Sequence, residues 1–161
     1  MSINILTASH VELKKKILDD GIKKHQTVID DFRRSIKDML SSETVVNEEE
    51  IDLSQQEFNT ALVQNSNSIA EQLTFANEEM KILYDMAPTI GNIHNTVQLG
   101  SVVVTDKDIF FVSVSIERFK VDGLTIFGLS TQAPIYQAME GKKKGESFSF
   151  KDEVYNIVDL F

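Results

Sequence analysis

The sequence predicts an α+β protein: a long antiparallel α-helical coiled-coil hairpin followed by a small antiparallel β-sheet domain with one short helix. Three observations carry that expectation. Apolar residues recur at alternating steps of four and three through two successive stretches of the first 86 residues. The pattern stops at Ala87-Pro88-Thr89-Ile90-Gly91-Asn92, where Pro, Gly and Asn mark a loop. Beyond it the texture changes to short runs rich in Val and Phe, one of them alternating apolar residues with Ser. The expected domains are residues 1–86, the hairpin, and 87–161, the sheet.

The first helical seam runs Leu18, Ile22, His25, Ile29, Phe32, Ile36, Met39, with Val11 extending it backwards. No proline interrupts it, and Gly21 is its one glycine. The second seam runs Phe58, Leu62, Asn65, Ile69, Leu73, Ala76, Met80, Leu83, with a four-four step at Ile69 that locally unwinds a supercoil. Helices of roughly 30 residues, joined by a short polar segment between about Ser41 and Ser54, pack antiparallel and run about 45 Å. A turn centred near Asn47 places His25 opposite Asn65 to Ile69. His25 then reads either as a pH-sensitive group or, the favoured reading, as a satisfied polar contact that fixes register.

In the second half, strands are expected over 99–105, 109–116, 123–130, 147–150 and 154–160. A short helix over 134–140 starts at a proline, which suits a first helical turn. Gly141-Lys142-Lys143-Lys144-Gly145 reads as a solvated turn rather than a phosphate site, because it lacks Walker A spacing. Five strands with one helix over a face make a twisted antiparallel sheet.

Composition narrows the function. Cysteine is absent, which removes disulfides and thiolate metal sites and fits a cytoplasmic setting. The stretch MSINILTASHVELKKK carries no signal-peptide pattern, and no apolar run approaches the ~20 residues of a membrane helix. A net charge of -9 argues against tight, indiscriminate binding to nucleic acid. The acidity is local. Residues 1–40 carry eight Lys/Arg and six Asp/Glu, 41–86 carry one and ten, and 87–161 carry seven and nine. An acidic protrusion suits a basic cleft on a partner. His10 and His94 have no ligand-spaced neighbours, and Gly128-Leu129-Ser130-Thr131-Gln132 is not a nucleophile elbow.

The remaining candidates lie in Glu48-Glu49-Glu50-Ile51-Asp52-Leu53-Ser54-Gln55-Gln56, between the two seams. These acids either cap the second helix or serve a metal. Asp52 with Gln55 has capping-box spacing, and so does Ser54 with Glu57.

The segment Ser130 to Glu146, STQAPIYQAMEGKKKGE, resembles the C-terminal signature of the bacterial Gre transcript-cleavage factors, matching it at Pro134, Ala138, Gly141, Lys142, Gly145 and Glu146. Val97-Gln98-Leu99-Gly100-Ser101-Val102-Val103-Val104 is similar to that family's first sheet strand, and Tyr155-Asn156-Ile157-Val158 resembles its closing strand. The resemblance implies an FKBP-like sheet domain that binds the rim of core RNA polymerase, with Pro134, Tyr136, Gln137 and Lys142 on the partner-binding segment. It implies a hairpin inserted into the polymerase's secondary channel. Asp52-Leu53-Ser54 aligns with the family's tip motif, and Asp52 falls on its catalytic aspartate. Such an aspartate helps hold a magnesium ion at the polymerase active site, where the polymerase itself cleaves backtracked transcript.

The pattern then departs. Ile51 stands at the family's glycine and Gln55 at its second acid, and a carboxamide cannot supply the missing charge. Glu48, Glu49 and Glu50 are the substitutes at hand. Ala133, Tyr136, Gln137 and Glu140 replace the family's usual types on the sheet domain. The expectation is a diverged, non-enzymatic elongation regulator with weak or absent cleavage stimulation. It would carry no cofactor in isolation and magnesium at the tip only in the polymerase complex. A monomer is expected, although coiled-coil seams also pair between chains. On residues alone a coiled-coil adaptor, whose sheet domain docks another protein, is the alternative.

Overall fold

The computed structural model describes the backbone of residues 3–43 and 53–161 and the side chains of residues 9–41 and 64–161. Two long helices come first, α1 (Ile3–Glu43) and α2 (Leu53–Met86), then a 3-10 turn at Ala87–Thr89. Six strands follow: β1 (Val102–Thr105), β2 (Ile109–Ser113), β3 (Ile116–Val121), β4 (Leu124–Ser130), β5 (Ser147–Phe150) and β6 (Glu153–Leu160). The short helix α3 (Pro134–Met139) lies between β4 and β5 in the chain. The class is α+β. By packing, residues 1–24 and 81–161 make one compact unit and residues 25–80 the other.

Within 25–80 the helices pair antiparallel. As α1 advances from His25 to Met39, its partner on α2 retreats from Ala76 to Ser66. His25 is buried and its Nε2 lies 2.8 Å from the Ala76 carbonyl oxygen, so it is a satisfied core contact. That partner is two turns further along α2 than the expected Asn65–Ile69, because the pairing is symmetric about a point later in the chain than Asn47. Asn65 is exposed although it falls on the seam. The four-four step at Ile69 rotates it off the contact stripe, and Ser66 reaches Met39 instead. Ile29, Ala76 and Met80 are buried, whereas Phe32, Ile36, Ile69 and Leu73 are only half-buried. A pair of helices covers each other along one stripe and leaves its flanks wet.

In the other unit the strand order is β3-β4-β2-β1-β6-β5. Two features differ from the sequence expectation. Among the described residues there are six strands rather than five, and β2 pairs parallel to β4 while the other neighbours are antiparallel. The unexpected strand, β3, reads IERFKV. Its register breaks between Ile116 and Phe119, so its buried residues are spaced three and then two, and the period-two signal is lost.

The parallel pair follows from where the chain goes after β2. Only Val114 and Ser115 separate β2 from β3, yet β3 lies beyond β4. The chain therefore crosses β4 closely, at Gly128. A Cβ there would fall 2.5 Å from Ile116 Cβ and 2.7 Å from the Val114 carbonyl oxygen. Only a residue without a side chain admits that crossing.

Both sheet faces are covered. Val103 and Phe110 form one cross-strand pair and Val102 and Phe111 the next, on opposite faces, and all four are buried. Tyr136 and Met139 of α3 join Val103, Phe110, Val112 and Tyr155 in one core. The opposite face meets the first turns of α1. A Cβ on Gly21 would lie 3.3 Å from Ile116 Cδ1 and 3.5 Å from Phe119 Cζ, so the glycine marks a close helix–sheet approach. The His10 ring stacks on Phe161 at 4.0 Å, and its Nε2 lies 3.1 Å from Asp159. Lys16 pairs with Asp122 at 3.0 Å. No helix among the described residues is long and apolar enough to cross a membrane.

Candidate functional site

The segment from Ser130 to Glu146 is a helix and two turns fixed largely by backbone groups. Ser130 Oγ accepts from the Gln132 amide at 3.1 Å, and the Ser130 carbonyl accepts from Ala133 at 3.0 Å. Pro134 opens α3 where no amide hydrogen is needed. The chain leaves the helix through Gly141 at φ +74 and turns back through Gly145 at φ +91. Both lie in the left-handed region, where a side chain is strained. Gly141 donates to the Val97 carbonyl and Val97 donates to that of Lys142, each at 2.9 Å. The Lys143 amide donates to the Glu146 carboxylate at 2.6 Å, and the Gly145 amide to Ile157 at 2.8 Å.

These bonds explain why the segment has its spacing. Pro134, Gly141, Gly145 and Glu146 build the turn, and Ala138 packs half-buried against the core. The residues that resemble the Gre signature are therefore mostly those that shape the backbone. Lys143 and Lys144 are exposed, and Lys144 pairs with Asp159 at 3.5 Å, so the lysine run is a solvated turn.

Of the four residues expected on the partner-binding segment, Pro134 and Gln137 are exposed and Lys142 is half-buried. Tyr136 is buried in the core, and burial, with Glu140 second, raises the pKa of its phenol. Tyr136 sets the position of α3 rather than offering its side chain at the surface. The residues expected at the tip, Glu48, Glu49, Glu50 and Asp52, lie outside the described residues, as does the side chain of Gln55. Among the described residues no three His, Asp or Glu gather as a metal site.

No family model matches the chain, and no curated protein matches it. Among solved structures the chain is similar to the GreA factor homolog 1 (Gfh1) protein of Thermus thermophilus, with 16% identity and a TM-score of 0.32 over 88% of this chain and 94% of that one. It is also similar to Gfh1 of Thermus aquaticus, with 14% identity and a TM-score of 0.31 over 87% and 93%.

A second constellation escaped the sequence reading. Lys14 is fully buried, and its ammonium donates to the Asn92 carbonyl at 2.5 Å. Burial lowers its pKa to about 8. In the seam pattern Lys14 has no special place; only its packing against the loop after α2 makes it unusual. The same loop carries His94, whose Nδ1 shares a 2.9 Å hydrogen bond with Ser101 Oγ. Burial first, and the Lys14 charge second, lower the His94 pKa and keep the ring neutral near pH 7. His94 lines a cleft of about 300 Å³ with Ile82, Asp85, Met86, Leu99 and Gly100.

Proposed function

We propose that the chain is an RNA polymerase-binding regulator of transcription elongation, of the Gre type and not itself an enzyme. The observation that supports this reading is a pairing of features in one chain. An antiparallel helix pair, residues 25–80, is inserted in sequence between the two segments of a sheet unit, and that unit bears the Gre-like segment Ser130–Glu146. In this reading the exposed side of α3 and its following turn, with Pro134, Gln137 and Lys142, docks on core enzyme in the cytoplasm of a bacterium. The connection between α1 and α2 enters the secondary channel.

Magnesium, when bound at the polymerase active site, would supply the Lewis acid for phosphodiester hydrolysis. The chain's own contribution is charge. Asp52, with Glu48, Glu49 and Glu50 near it in sequence, brings carboxylate oxygens, while Gln55 brings only a neutral amide oxygen. The natural protein should therefore occupy the channel and stimulate cleavage weakly or not at all.

The test uses the full chain with bacterial core RNA polymerase on stalled, backtracked complexes. The protein should co-purify with core enzyme, Gln55→Glu should raise transcript cleavage, and Asp52→Ala should remove what cleavage there is. If Asp52 is only a helix cap, Asp52→Ala instead lowers stability by about 1 kcal/mol and leaves cleavage unchanged. Failure to associate with core enzyme sinks the proposal.

A further inference from the structure

The cleft between the end of α2 and the loop after it belongs wholly to the sheet-bearing unit and has no part in the function proposed above. Its apolar lining includes Ile82 and Met86 of α2 and Leu99 of the loop. Ile82 and Leu99, both on the lining, remain 41% and 47% exposed, so apolar surface is open to a ligand there. Gly100 belongs to the same lining. Gly100 sits at φ +91, and a Cβ there would stand 3.2 Å from His94 Cε1 and 3.8 Å from Met86 Cε. A side chain at this position would crowd His94.

The ring of His94 is pinned from behind. Its partner Ser101 Oγ also accepts from the Gln98 amide at 3.0 Å, so the imidazole is held by a fixed network. Because burial and Lys14 disfavour its protonation, the imidazole adds no positive charge to the cleft near pH 7. Asp85 is the charged group on the lining, and among the described residues its carboxylate has neither an ion pair nor a hydrogen bond. An apolar slot beside an exposed carboxylate, the one ionised group on its lining, favours an apolar group next to a cation.

We propose that this cleft binds a peptide segment of a partner protein in which a large apolar side chain lies beside a lysine or arginine. The apolar side chain enters between Ile82 and Leu99, and the cation meets Asp85. A second copy of this chain fits poorly. The whole chain carries a net charge of -9. Like-charged surfaces oppose self-association, whereas a basic partner is attracted.

The test follows the methyl signals of Ile82, Met86, Ile90 and Leu99 in the full chain by NMR. Three short synthetic peptides of equal length are titrated: one with leucine beside lysine, one with leucine beside glutamate, one with alanine beside lysine. The first should move these methyls and bind about tenfold more tightly than either of the others. Asp85→Asn, at an exposed position without a partner, should remove the preference for lysine over glutamate while leaving the free protein's spectrum otherwise unchanged. Leu99→Ser should weaken all binding. Equal binding of the lysine and glutamate peptides, or of a neutral apolar probe such as hexanol, would overturn the cationic specificity. Methyl shifts that grow with protein concentration alone would assign the cleft to a second copy. Absence of any shift at these methyls would refute the site.

Discussion

The two compact units hold themselves together in different ways. In the sheet-bearing unit both faces of the central strands are covered, and Val102, Val103, Phe111 and Val112 have no solvent exposure. In the helix pair, burial at His25, Ile29, Ala76 and Met80 gives way to half-burial at Phe32, Ile36, Ile69 and Leu73. The first unit is a three-dimensional core, sensitive to the size of single groups. The second is a one-dimensional seam in which each residue has fewer neighbours to lose. The difference teaches where to look for each kind of evidence. Residues in the sheet unit that resemble a known family turn out to shape its backbone. Under the proposed function, the residues that would set activity are those of the connection between α1 and α2, Glu48, Glu49, Glu50 and Asp52.

The sharpest break in that comparison is expected at Gly128. An added methyl must displace the Val114 carbonyl or the Ile116 Cβ, neither of which can swing away. Gly128→Ala should cost about 3 kcal/mol or more, as severe overpacking does. Chemical denaturation of the purified variant would read this directly, and a loss under 1 kcal/mol would show that the β2–β3 crossing is looser than described.

Equivalent truncations in the two units come next. Met139→Ala removes a fully buried side chain from the sheet core and should cost about 2–4 kcal/mol. Ile36→Ala acts on a half-buried seam residue and should cost about 1–2 kcal/mol, since part of its apolar surface is already wet. Equal losses would erase the distinction between core and seam.

Lys14 gives a pH signature. Its folded pKa, about 8, lies below the ordinary lysine value of 10.5, so from pH 8 to 10.5 the unfolded chain binds the extra proton and stability rises with pH. The rise should reach about 3 kcal/mol at most. Lys14→Met should abolish this slope and raise stability at pH 7 by about 1–2 kcal/mol, because it removes a buried charge at the expense of one hydrogen bond to Asn92. Denaturation midpoints of both proteins across that range decide the matter.

The smallest effect is expected at Gly21. Alanine gains about 1 kcal/mol of helix propensity, but its methyl would press on Ile116 Cδ1 at 3.3 Å. The flexible end of an isoleucine can give way, so Gly21→Ala should shift stability by less than about 1 kcal/mol.

Periodicity made the helices and most strands legible. The heptad steps in 18–39 and 58–83 mark α1 and α2, and alternation or Val-rich runs mark β1, β2, β4, β5 and β6. It failed at β3, where a register break spoils the two-residue period, and at the β2–β4 pairing, which depends on a crossing made elsewhere in the chain. Gly128 was readable as a glycine within a strand run, but the backbone it admits was not. Register in the helix pair was misjudged because a seam specifies which face meets the partner more firmly than which turn. Lys14 and the cleft beside His94 were invisible, since both arise when the loop after α2 packs on α1. The segment expected to bind a partner was picked out by resemblance, and its one aromatic, Tyr136, belongs to the core.

The central claim is that the chain binds RNA polymerase through its sheet unit while the tip serves a separate role. Dissociation constants of the full-length protein for bacterial core RNA polymerase test it most directly. The double variant Gln137→Glu, Lys142→Glu should weaken binding by roughly tenfold or more. Asp52→Ala should leave affinity within about twofold, as expected for a residue that contributes to chemistry rather than docking. Loss of binding on Asp52→Ala with no effect of the double variant, or no measurable binding by the natural protein, would contradict the account.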